Sequence, residues 1–206
     1  MEIRNESRYV LPSFVERTSY GVKEMNPYNK LFEERIVFIG TPVDDTAAND
    51  VTAQLLALEG MDPDRPINLY INSPGGSLTA MLAIHDTMDY IRPEIETTCV
   101  GQAGSAAAIL LAAGSPGKRA ALVSSRILLQ QPATDVIRGQ SSDMEIQAEE
   151  ILRMRDRMEE ILARATGRNA EEVRAVIERD RFFTAAEALE YGLIDHVLTS
   201  RKAALR

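Results

Sequence analysis

Short apolar runs alternate along this chain with longer stretches in which apolar residues fall three and four apart. "RIVFIG" (35–40), "INLYI" (67–71) and "IETTCV" (95–100) read as buried strands. Behind the first, Asp44 to Glu59 carries Val51, Leu55, Leu56 and Leu58 at helical spacing and stops at Gly60. Behind the second, "LTAMLAIHDTMDYI" (78–91) is a helix closed by Pro93. Behind the third comes an alanine and leucine run after Ser105, apolar throughout and therefore a buried helix. "RAALVSSRILL" (119–129) reads as one or two strands, and "QPATDVIRGQSS" after it as a loop.

The strongest helical signal is 142–166. Met144, Ala148, Ile151, Met154, Met158, Ile161 and Ala165 form one stripe, with acids and arginines elsewhere. Ser142 with Glu145 has the spacing of a capping box, and Gly167 that of a C′ glycine. The stripe reads as core or partner-helix packing, the charged face as solvated. Helices over 170–179 and 184–190, Gly192 and the strand "LIDHVL" complete the chain. Residues 1 to about 30 are polar, punctuated by Pro12, Gly21 and Pro27, and read as an arm outside the core. Strands alternating with helices predict an α/β fold with largely parallel pairing.

At 206 residues the chain suits one domain and buries enough surface to need no disulfide or metal staple. No apolar run approaches the ~18 residues of a membrane span, and the polar N-terminus lacks a signal-peptide core. One Cys and two His argue against a four-ligand zinc site; no metal and no cofactor is expected. Cys99 alone forms no internal disulfide, which fits a reducing, cytoplasmic location. The net charge of −8 argues against a nucleic-acid partner.

Two glycine-rich joints carry the candidate chemistry. "NSPGGS" (72–77) links a strand to a helix; it is either a tight turn or a place where backbone N–H groups meet an oxyanion. It lacks the lysine and spacing of a phosphate loop. "GQAGS" (101–105) has the same form. Ser105 is either the N-cap of its helix or a nucleophile at the sheet edge where α/β proteins bind ligands. A serine nucleophile needs a base. His85 lies inside a helix among Met81, Ile84 and Met88, and His196 beside Asp195 in the last strand, each better suited to packing or the surface. Lys118 is a formal Ser–Lys candidate that reads more simply as an exposed turn residue.

"YINSPGG", "GQAGSAAAILLAAGSPGKRAAL", "RILLQQP" and "ERDRFFTAAEALEYGLID" together resemble the ClpP family, proteolytic subunits of ATP-dependent Clp proteases, from about Tyr9 to Arg201. "RYVLPSFVERTSYGVKEMNPYNKLFEERIVFIG" (8–40) is similar to actinobacterial members. The resemblance implies a crotonase-like ClpP fold, a single domain with a protruding handle helix at about 142–166 and an axial arm at about 1–30. It implies stacked heptameric rings, homo- or hetero-oligomeric, that degrade unfolded polypeptides delivered by an AAA+ Clp unfoldase. The family nucleophile falls on Ser105, the oxyanion donors on the N–H groups of Gly76 and Ala106, and the triad aspartate on Asp180. Unfoldase docking falls on Tyr70, Tyr90, Leu198 and Arg201, with Asn68 where the family often has an aromatic.

One departure matters most. The family histidine in R-x-x-x-H-Q-P falls on Gln130 of "RILLQQP". A carboxamide accepts a hydrogen bond but does not take a proton near neutral pH. Gly104 for the usual alanine and "VSSR" for the usual proline–asparagine pair are smaller departures that remove no catalytic group. Three expectations follow: a serine peptidase weak or silent alone, a structural ring subunit co-assembling with an active ClpP paralogue, or chemistry at Ser105 with a base from elsewhere. An acyl-CoA enzyme of the crotonase type shares the fold class and is separable by CoA binding.

Overall fold

The computed structural model describes residues 12–18, 21–132 and 141–200. Strands β3 (Ile36–Ile39), β4 (Ile67–Ser73) and β5 (Ile95–Gly104) pair in parallel, with helices α2 (Asp45–Met61) and α3 (Leu78–Tyr90) in the crossovers. After β5 comes α4 (Ala106–Ala112), all seven residues buried. "RAALVSSRILL" forms two strands, β6 (Arg119–Leu122) and β7 (Arg126–Leu129). Both pair with β5 in parallel, β6 along Thr97–Cys99 and β7 along Gln102–Gly104. One ten-residue strand thus supports two successive neighbours on the same edge. β9 (His196–Leu198) joins β6.

Alternation along the strands decides which face is core. Leu69, Ile71, Cys99 and Ala121 are fully buried. Tyr70, Thr98, Leu122 and Leu198 point the other way, and the pairing register carries them across the sheet. A break in register between Ile71 and Ser73 leaves β5 with extra residues around Gly101, at φ 104. The Asn72 side chain accepts the Gln102 N–H there at 3.3 Å.

Several expectations change. Gly60 lies inside the last turn of α2, not beyond it. The long helix, α5, spans Ser141–Thr166, so Ser142 sits within its first turn and not at the cap. Its stripe is buried only at the C-terminal half: Met158 and Ile161 are core, whereas the side chains of 142–150 are all exposed. The second of the two late helices, α7 (Ala185–Tyr191), follows α6 (Ala170–Ile177) only after a strand, β8 (Arg181–Thr184), which lies antiparallel to β7. Part of the arm is ordered as strands β1 (Phe14–Thr18) and β2 (Gly21–Met25), followed by helix α1 (Pro27–Glu33). The rest of the arm and most of the loop after Pro132 fall outside the described residues.

Candidate active site

Ser105 joins β5 to α4 at φ 46 and ψ −115, a left-handed conformation that costs a residue with a Cβ about 1–3 kcal/mol. Its backbone is held from both sides. The N–H donates to the Leu128 carbonyl at 2.8 Å, and the carbonyl accepts from Ala108 at 3.0 Å. The hydroxyl makes no capping bond, so of the two roles the residues left open, the cap is not the one the geometry uses.

The two glycine joints touch. A Cβ on Gly75 would lie 2.3 Å from the Gly104 carbonyl oxygen, and one on Gly104 would lie 2.4 Å from that of Pro74. Gly76, at φ 156, is bridged to Val43: Val43 N–H donates to Gly75, and Ser77 N–H donates to Val43. In this parallel bridge the N–H of Gly76 faces away from Val43. Neither it nor the Ala106 N–H has a hydrogen-bond partner among the described residues. Gly76, Ser105 and Gln130 line one cleft, with Ser77, Leu78, Thr79, Pro132, Met154 and Met158.

β7 and β8 bring the other two positions together. Their register pairs Leu129 with Arg181, so the next step sets Gln130 opposite Asp180. β7 also pairs with the end of β5, so Gln130 emerges between the strand that presents Ser105 and the strand that follows Asp180. Gln130 and Asp180 line a second cleft with Gln131, Ile177, Glu178 and Arg179. The side chains of Ser105, Gln130 and Asp180 are not hydrogen-bonded to one another.

Among the described residues, the other candidate bases are engaged elsewhere. His85 is fully buried on α3, with Nδ1 2.9 Å from Asp86 and Nε2 3.1 Å from Arg164. His196 bonds the Gly117 carbonyl at 3.0 Å. Lys118 pairs with Glu94 at 2.8 Å and Glu96 at 3.0 Å, at the opposite end of β5; hydrogen bonds to both raise its pKa and keep it cationic. Cys99 is no rival nucleophile, since burial pushes its thiol up to about 11. Among the described residues no group of three or more His, Cys, Asp or Glu is placed to hold a metal, and no helix is long and apolar enough to cross a membrane.

Two residues of this cleft escaped the reading of the chain. Met154 and Met158 were legible as part of a stripe, but periodicity does not say that a stripe borders a reactive serine. Tyr70 and Leu198 share the outer face of the sheet, with Asn68 on the same face. Tyr90 ends α3 and is 81% exposed. Arg201 lies outside the described residues.

The Clp protease family model matches residues 19–201. The "ATP-dependent Clp protease proteolytic subunit 2" of Corynebacterium jeikeium (strain K411) is 65% identical over 96% of this chain and 94% of its own length. The "ATP-dependent Clp protease proteolytic subunit 1" of Thermobifida fusca (strain YX) is 63% identical over 98% of this chain and 90% of its own. A Streptomyces coelicolor "proteolytic subunit 2" is 61% identical over 96% of this chain.

Proposed function

The chain belongs to the Clp protease family, and from that premise we propose that it is a proteolytic subunit with its site at Ser105 and with turnover impaired by Gln130. In this reading Ser105 Oγ attacks the peptide carbonyl, and the Gly76 and Ala106 N–H groups receive the developing oxyanion. Asp180, beside Gln130 in the neighbouring cleft, has no imidazole to orient and keeps a structural role. Loss of the base costs about a million-fold in kcat, ~8 kcal/mol, while oxyanion and binding contributions leave about 10³–10⁴ over water. The observation that carries the reading is an uncapped serine on a strained turn, between two N–H groups without partners.

The remaining parts follow the family. Subunits would stack as heptameric rings through the exposed half of α5, and an AAA+ Clp unfoldase would dock at Tyr70, Tyr90, Leu198 and Arg201 and deliver unfolded polypeptides. The cytoplasm is the compartment this reading implies.

Peptide cleavage and fluorophosphonate labelling of the purified chain, compared with Gln130→His, test the proposal. The expected result is a nearly inert original and a labelled, active Gln130→His variant. Equal strong turnover in both would refute the missing-base argument. A second reading, a non-catalytic ring subunit partnered by an active ClpP paralogue, is favoured by Gln130 in the place of the family histidine. Co-purification of mixed rings supports it; failure of the chain to enter any ring with a paralogue discards it.

A further inference from the structure

β5 loses its backbone partners at one place, on both edges. Toward β4 the pairing passes from Ile71–Cys99 directly to Ser73–Ala103. On the other edge it passes from Cys99–Ala121 on β6 to Gln102–Arg126 on β7. Val100 and Gly101 fall in both gaps. Two side chains stand in for the missing strands. Asn72 Oδ1 accepts the Gln102 N–H at 3.3 Å and packs so closely on Gly101 that a Cβ there would lie 2.7 Å from it. Ser125, 2% exposed between β6 and β7, donates its hydroxyl to the Cys99 carbonyl at 3.0 Å and accepts the Gly101 N–H at 3.4 Å. The carbonyl of one residue and the N–H two residues on point to the same edge of a strand, where a parallel neighbour would satisfy both. Here one hydroxyl does so.

We propose that Ser125 is a positioning residue for Ser105, with Asn72 acting from the opposite edge: together they fix the bulge at Val100–Gly101, and the bulge sets how the chain from Gln102 to Ser105 meets the cleft. The inference rests on the reading of Ser105 as nucleophile above. Ser125 does not line the cleft, so it acts through the strand and not on the reacting atoms. A bulge re-aims the side chains that follow it, and bulges recur beside active sites for that reason. Ser105 holds φ 46, a conformation that persists only where the surroundings over-determine it. Downstream and alongside, the Leu128 carbonyl and the Gly75–Gly104 contact supply restraint. Upstream, between Cys99 and Gln102, restraint across the sheet falls to the two side chains. Without the hydroxyl the buried Cys99 carbonyl loses that donor and the Gly101 N–H turns to water. The surplus chain then settles differently, and Gln102–Gly104 shifts against β7.

The experiment measures kcat, KM and fluorophosphonate labelling on the full chain carrying Gln130→His, with Ser125→Ala or Asn72→Ala added. Displacement of a nucleophile by about an ångström costs about 10²-fold, so Ser125→Ala lowers kcat and labelling by that order. KM stays within about twofold, because the walls that bind substrate are untouched. Asn72→Ala acts in the same direction; Asn72 is exposed, so this variant tests the bulge even if Ser125→Ala fails to fold. Ser125→Thr, which keeps the hydroxyl, restores part of kcat. Thr97→Val removes another buried hydrogen bond of β5, 2.7 Å to the Leu111 carbonyl, and leaves kcat within about twofold. In the original chain, hydrogen exchange read by mass spectrometry should quicken over 101–105 in Ser125→Ala and stay unchanged over 67–71. Unchanged kcat in Ser125→Ala and Asn72→Ala, or an equal loss in Thr97→Val, overturns the inference while the Ser105 reading stands. Unchanged exchange over 101–105 overturns it as well. An inert and unlabelled Gln130→His chain overturns the Ser105 reading, and the inference falls with it.

Discussion

The Gly104 carbonyl oxygen stands 2.3 Å from where a side chain on Gly75 would begin. The two joints that flank the candidate site therefore meet backbone to backbone, and residue 75 is also at φ 97. Gly75→Ala forces the joints apart and strains its own backbone. The expected cost is about 3 kcal/mol, from overpacking and the left-handed φ together, with loss of Ser105 labelling. Urea denaturation checks it; a change below about 0.5 kcal/mol, an ordinary surface effect, rejects this packing.

Ser105 holds its strain through its Cβ. Ser105→Gly releases that strain and stabilises the chain by about 1 kcal/mol, net of the greater freedom of glycine when unfolded. Ser105→Ala keeps the Cβ and gains nothing of this kind. Both variants lose labelling. Paired thermal melts distinguish them, and equal melting temperatures would mean the turn is relaxed.

Glu159 is 2% exposed on α5 and binds Arg174 at 2.7 Å and Arg155 at 2.9 Å. Burial pushes its carboxyl up, but hydrogen bonds from the two arginines outweigh this and hold it below the usual carboxylate range. A carboxyl lower in the folded than the unfolded chain contributes stability that is present above its unfolded value of about 4.3 and lost as pH falls through the folded value. Glu159→Gln therefore lowers stability at pH 7 and flattens the acid limb of the stability profile. The cost at pH 7 is about 2–3 kcal/mol, below that of a fully buried pair because Arg174 is half exposed and regains water. Denaturant midpoints between pH 3 and pH 7 measure both effects; an unchanged acid limb assigns the loss of stability elsewhere.

Ile146 is 64% exposed and Leu152 56%, on the half of α5 that stands clear of the domain. If this surface is covered by another subunit, Ile146→Glu with Leu152→Glu leaves the fold of the subunit intact and prevents ring stacking. Circular dichroism should be unchanged, while sedimentation velocity shows a smaller species. Sedimentation identical to the original chain would exclude this face as the contact.

What the sequence by itself determined is local. The strands 36–39, 67–71 and 95–100, the helices between them and the apolar α4 were legible because burial imposes a period on neighbouring residues. The glycine pairs and the glutamine in "RILLQQP" were legible as letters in a motif. Tertiary structure decided what these residues meet. The pattern gives helices over 170–179 and 184–190 with no element between them; pairing with β7 makes Arg181–Thr184 a strand, and one further step of that register brings Asp180 to the cleft that Gln130 lines. Met154 and Met158 reached the Ser105 cleft, while Met144 on the same stripe remained exposed. Periodicity records that a residue is apolar or strained by its near neighbours. Which distant backbone stands opposite depends on the register between strands far apart in the chain, and that is set only when the sheet closes over its core.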